Sequence, residues 1–129
     1  MSWSIARGRR QPGEWVDPTH DDEDVASLLA ATPAGAKMFV TLFFTGYAID
    51  RASPRVAVFF DTRNDCYPAD VLRAGFDLDA GRLSAVEADA ALRRWGVTHA
   101  LIGCESRAAR GFTHWRTERR AGRFCVLVP

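Results

Sequence analysis

Lysine is almost missing from this sequence. Lys37 is the only one, and the rest of its 17 basic residues are arginine. With abundant alanine, that bias points to a GC-rich genome rather than to a function. A charge of one sign is missing too. The net charge is +1 at pH 7, which gives neither nucleic acid nor an anionic membrane surface much to hold. Cysteine is scarce: Cys66, Cys104 and Cys125 make an odd count with no CxxC, so neither a disulfide framework nor a structural zinc site is expected. Cys125, inside "RFCVLV", reads as a small buried apolar residue. Long apolar runs are also lacking. "MFVTLFFTGYAI" is too short and too polar to span a bilayer, and "MSWSIARGRRQPGEW" has basic residues but no apolar core behind them, so it is not a secretory signal. No membrane span and no nucleic-acid partner are therefore expected. The chain reads as soluble, and its compartment stays open: extracytoplasmic if it is the tail of a membrane protein, otherwise cytoplasmic. Repeats and low-complexity tracts are absent.

What is present suits one globular domain. The 129 residues are enough for a real core, with 47% apolar and 26% charged residues, as in ordinary folded proteins. Residues 1–20 lack apolar periodicity and read as a loose arm, pinned by Trp15. Residues 21–129 then form one α/β domain. "THDDEDVASLLAATPAG" has an acidic start and ends before Pro33 and Gly35, as a short helix does, with Val25, Leu28 and Leu29 as its apolar face.

"KMFVTLFF" and "RVAVFF" are nearly continuous apolar runs, which favours strands covered on both faces. The first is closed by Thr45 and Gly46. Pro68 suits the first turn of a helix through about Ala74, and "FDLDAGR" reads as a turn. Ser84 and Glu87 form a capping box for "AVEADAALRRW", which Gly96 closes in a left-handed cap. "THALIG" is a third strand, and "CESRAARG" suits one helical turn. "FTHWRTERRAGRFCVLV" reads as a hairpin with Gly122 in its turn. These elements predict an α/β fold: a small, mainly parallel sheet flanked by helices, with a C-terminal antiparallel hairpin at the sheet's end. Strands 38–44, 55–60 and 98–103 would be central and parallel, the second pairing with the third across the helical crossover. The hairpin would use 113–118 and 123–128.

The stretch "FTGYAIDRASPRVAVFFDTRNDCYPADVL" resembles the C-terminal soluble domain of GT-C-type membrane glycosyltransferases and related bacterial multi-spanning proteins. The residues that carry the resemblance are Gly46 and Tyr47, Pro54, and then Asp61, Arg63 and Tyr67 in an Asp-x-Arg-x-x-x-Tyr motif. "RRWGVTHALIG", Trp115 and the terminal "RFCVLVP" extend it to roughly residues 17–129. The family often has Gly where Thr45 and Thr62 stand here. In such transferases the catalytic aspartates lie in loops between membrane helices, so no catalytic residue carries over. The resemblance implies a non-catalytic, extracytoplasmic accessory domain, excised from a larger chain or encoded alone. It would pack on a membrane-embedded glycosyltransferase portion or subunit, or shape acceptor binding. No cofactor is implied.

Several constellations compete as sites. Asp61, Arg63, Asp65 and Tyr67 follow a strand, where open α/β sheets bind ligands, and Arg63 can pair with a phosphate or a sugar carboxylate. The plainer reading is a structural turn in which Asp61 accepts backbone N–H groups. A haloacid-dehalogenase-type phosphatase would need an Asp where Arg63 stands. Cys104 and Arg110 have the Cys-x5-Arg spacing of cysteine phosphatases, in which the loop amides and the Arg hold phosphate and activate the thiol. That loop here lacks glycine and the following hydroxyl. A stand-alone hydrolase of a phosphorylated substrate using this pair is the alternative to the accessory domain, and Cys104 is otherwise expected to be inert. His20 beside Asp21 and Asp22 fits a polar helix start better than a metal site, and no metal is expected. His99 reads as a hydrogen-bonded structural residue. Trp95 and Trp115 occupy core-like positions, with a sugar platform as the other option.

Overall fold

The computed structural model describes residues 18–59 and 67–129, the first three as backbone only. Most of the expected arm, with Trp15, lies outside the described residues. Helix α1 spans Pro18–Ala31, β1 Lys37–Val40, α2 Thr45–Ala52, β2 Ala57–Phe59, α3 Ala69–Asp79, α4 Ala85–Trp95, β3 His99–Gly103, β4 Arg116–Ala121 and β5 Phe124–Val128. Short 3-10 helices cover Leu42–Phe44 and Arg107–Phe112.

The strands form one sheet in the order β2-β1-β3-β5-β4. β1 is parallel to both β2 and β3, whereas β5 is antiparallel to both β3 and β4. The sheet is therefore mixed, not mainly parallel. Residues 57–59 form an edge strand and pair with β1, so the expected pairing of the second strand with the third is corrected: β1 lies between them. The reason is topological. From β1 the chain crosses through α2 to β2, then returns through α3 and α4 to β3 on β1's other side. Crossovers of one hand that run in opposite directions along a sheet place their helices on opposite faces.

The core shows those two faces. Met38, Val40, Leu101, Phe124 and Val126 pack with Val25, Leu28 and Leu29 of α1 and with Ala48 and Ala52 of α2. Phe39, Ala100, Ile102, Cys125 and Leu127 pack on the other side with Leu78 of α3 and with Ala88, Leu92 and Trp95 of α4. Alternate residues along β1, β3 and β5 thus enter different layers, which is why these strands read as continuous apolar runs.

Several element expectations need correction. The hairpin strand expected at 113–118 is Arg116–Ala121, and Thr45 and Gly46, expected only to close the first strand, begin the helix α2. The first strand ends at Val40 rather than Phe44, and Leu42–Phe44 turn into a 3-10 helix that leads directly into α2. Asp79 fixes this departure: its Oδ1 accepts from Thr41 Oγ1 at 3.0 Å and from the Leu42 amide at 3.3 Å. Helix α3 runs to Asp79, so most of "FDLDAGR" is helical. Ser84 and Glu87 do form the capping box, and Gly96 is left-handed at φ 74°. Gly46 and Tyr47 lie within α2, and the Tyr47 hydroxyl donates to the Asp22 carbonyl at 3.0 Å, joining α2 to α1.

A cysteine pair also departs from expectation. Cys104 and Cys125 form a disulfide, with Cα atoms 5.2 Å apart. An odd cysteine count leaves room for one pair. The antiparallel pairing of β3 with β5 sets the ends of these strands side by side, within bridging distance, and no sequence spacing reveals that.

Candidate functional site at the ends of β1 and β3

The chain leaves β1 in one direction along the sheet and leaves β3 in the other. A crevice therefore opens where their C-terminal ends diverge, the place where open α/β sheets hold ligands. A cleft of about 610 Å³ lies there. One wall is Thr41, Phe43 and Phe44, after β1. The facing wall is Gly103, the last residue of β3, then Glu105 and Ser106, with Arg123 just before β5, Phe124 at its start and Asp21 in the first turn of α1.

Aromatic rings shape the cleft. Phe44 is buried and meets Phe124 edge-on at 5.3 Å between centroids, and Phe43 meets Phe44 in the same way at 5.1 Å. Phe43 itself is 84% exposed, so a large apolar ring stands at the lip. The polar groups of the rim are mostly committed. Arg123 Nη2 donates to Asp21 Oδ2 at 2.9 Å, Ser106 Oγ to the Gly103 carbonyl at 2.8 Å, and Thr41 Oγ1 to Asp79. Glu105 is exposed. With Asp21 matched by Arg123, Glu105 leaves the rim with a negative charge. Among the described residues the lining holds two hydroxyls, Thr41 and Ser106, each donating to a partner already named. The cleft can hold an apolar group next to a cation.

The structure separates the residues singled out from the sequence. Asp61, Arg63 and Asp65 lie outside the described residues. Tyr67 is half-buried and lies edge-on to Phe59 at 5.5 Å. Cys104 is bonded to Cys125, so the hydrolase reading with Arg110 needs a thiolate that this form of the chain lacks; Arg110 is exposed on the second 3-10 helix. Cys125 is buried as expected, but as half of a disulfide. Asp21 faces Arg123, and the His20 side chain lies outside those described. Among the described residues no three His, Cys, Asp or Glu side chains are grouped to hold a metal ion, and no helix is long and apolar enough to cross a membrane.

His99 is held structurally, with Nδ1 at 2.8 Å from Thr98 Oγ1 and Nε2 at 3.8 Å from Glu118. Trp95 is in the core, its ring 4.9 Å from that of Phe59. Trp115 is fixed by its indole N–H, which donates to Asp89 Oδ1 at 3.1 Å; His114 Nδ1 lies 2.8 Å from Asp89 Oδ2. The cleft residues Phe43, Phe44, Arg123 and Phe124 escaped sequence reasoning. Their only local signal was the doubled aromatic in "TLFF", which the strand assignment absorbed. Comparison of the chain with protein-family models, curated proteins and solved structures returns no match.

Proposed function

We propose that this chain is a non-catalytic accessory α/β domain that packs on a membrane partner, the role implied by its resemblance to the soluble tail of GT-C-type membrane glycosyltransferases. The observation that carries this reading is Phe43, 84% exposed at the lip of a cleft floored by Phe44 and Phe124. An exposed ring continuous with an apolar cleft favours a partner that covers it. The charge of Glu105 on the rim selects a partner segment with an apolar side chain next to a basic residue. The Cys104–Cys125 disulfide supports the extracytoplasmic side, because such bonds persist where thiols are not kept reduced.

Photo-crosslinking from position 43 of the full chain in its own cells, with the adduct identified by mass spectrometry, tests the proposal. A membrane-spanning glycosyltransferase is the expected adduct, lost in Glu105→Lys. Crosslinks only to water-soluble proteins, or none, would defeat the reading.

A further inference from the structure

The disulfide lies directly behind the cleft wall, joined to it through the chain. Cys104 follows Gly103 and precedes Glu105, and Cys125 follows Phe124; Gly103, Glu105 and Phe124 all line the cleft. Gly103 is the register partner of Phe124, and the Cys104 amide donates to the Arg123 carbonyl at 2.8 Å. These are the last rungs between β3 and β5, and Glu105, Ser106 and Arg107 beyond them are exposed. Terminal rungs next to an exposed turn open first in a folded sheet. The disulfide clamps them from behind, since Cys125 is 3% exposed and packs in the layer with Phe39 and Leu127, on the sheet face away from Phe44 and Phe124.

We propose that the Cys104–Cys125 disulfide is a maturation clasp: the oxidised chain has a formed cleft wall and binds its partner, and the reduced chain does not. The inference rests on the cleft's being the docking site. The chemistry is thiol–disulfide exchange with the disulfide of an oxidoreductase. The Cys104 thiolate attacks that disulfide, forms a mixed disulfide and releases one partner thiol. The Cys125 thiolate then displaces the second. Two electrons pass to the partner, which leaves as a dithiol carrying the two protons. Cys104 is the point of entry, being half-buried where Cys125 is enclosed. A chain made in a reducing compartment would thus acquire its docking surface only after reaching an oxidising one.

The test uses the full chain with Cys66→Ser, so that no third thiol competes, in three forms: oxidised, reduced with dithiothreitol, and Cys104→Ser/Cys125→Ser. Amide exchange reads the wall, and the uncharged apolar dye Nile red, which the Glu105 carboxylate does not repel, probes the cleft, with Phe43→Asp as the cleft control. On reduction we expect amide exchange at residues 104 and 106 to speed up at least tenfold and dye affinity to fall about tenfold, while far-ultraviolet dichroism is unchanged. If the double variant fails to fold, chemical reduction of the folded chain gives the same comparison. Unchanged exchange and dye affinity on reduction would overturn the clasp and leave the cleft reading standing. Faster exchange with unchanged dye affinity would also overturn it. Dye that does not bind the oxidised chain, or binds it regardless of Phe43→Asp, would defeat the cleft reading and this inference with it.

Discussion

Arg123 reaches Asp21 across 102 residues of sequence, Nη2 to Oδ2 at 2.9 Å, and joins the start of β5 to the first turn of α1 at the rim of the cleft. Asp21 is 6% exposed and Arg123 about half exposed. Removing the arginine therefore strands a buried carboxylate, while removing both partners does not. Arg123→Ala is expected to destabilise the fold by about 1–3 kcal/mol. Adding Asp21→Asn should recover part of that loss in a double-mutant cycle read by urea unfolding. Additive losses would show that the pair is not coupled.

Gly122 supplies the second contact of α1 with the β4–β5 turn. Its φ is 58°, and a Cβ placed there would strike the Asp24 carboxylate. Gly122→Ala should cost about 1–2 kcal/mol from the left-handed backbone alone. Gly122→Ala with Asp24→Ala should relieve the contact but not the backbone cost. A melt of the single variant that matches wild type would contradict this account.

Asp89 holds two neighbours with one carboxylate, the Trp115 indole and His114. Trp115 is part-buried, whereas the His114 side chain is 58% exposed. Asp89→Ala is expected to cost about 1–2 kcal/mol, and His114→Ala clearly less. Thermal melts and Trp115 fluorescence check both.

The capping box predicts a pH response. Hydrogen bonds from Ser84, first from its backbone N–H and then from its side chain, hold the Glu87 carboxyl below the ordinary carboxylate range. A lowered folded-state pKa contributes stability that is complete above the unfolded value and is lost as pH falls through the folded one. Glu87→Gln should therefore flatten the acid limb of the stability profile without changing its neutral plateau's shape. Ser84→Ala should lower stability by about 1 kcal/mol at neutral pH. Denaturant unfolding between neutral and acidic pH provides the measurement.

The disulfide closes a loop between residues 104 and 125, a separation of 21. By the chain-entropy argument, Cys104→Ser/Cys125→Ser should lose about 3 kcal/mol, mainly through a freer unfolded chain. A loss far below that, with a cooperative melt retained, would show that the unfolded state is already compact there.

Local chemistry decided much of this protein from sequence alone. Ser84 and Glu87 cap α4 because a hydroxyl and a carboxylate three residues apart can each reach the other's amide. Gly96 ends that helix, Gly122 makes the hairpin turn, and Val25, Leu28 and Leu29 share one face of α1. Each needs only the geometry of a few consecutive residues. The run "TLFF" marks the limit. An apolar stretch reads alike as a buried strand or as a packed turn, and Asp79, far away in sequence, decides that it leaves the sheet at Thr41. Strand order, the Cys104–Cys125 bond, the Arg123–Asp21 pair and the cleft all belong to that second kind. They depend on which side of β1 the chain returns to after β2, and that choice is made by packing helices against both faces of one twisted sheet. No short window of residues contains the contacts that make it.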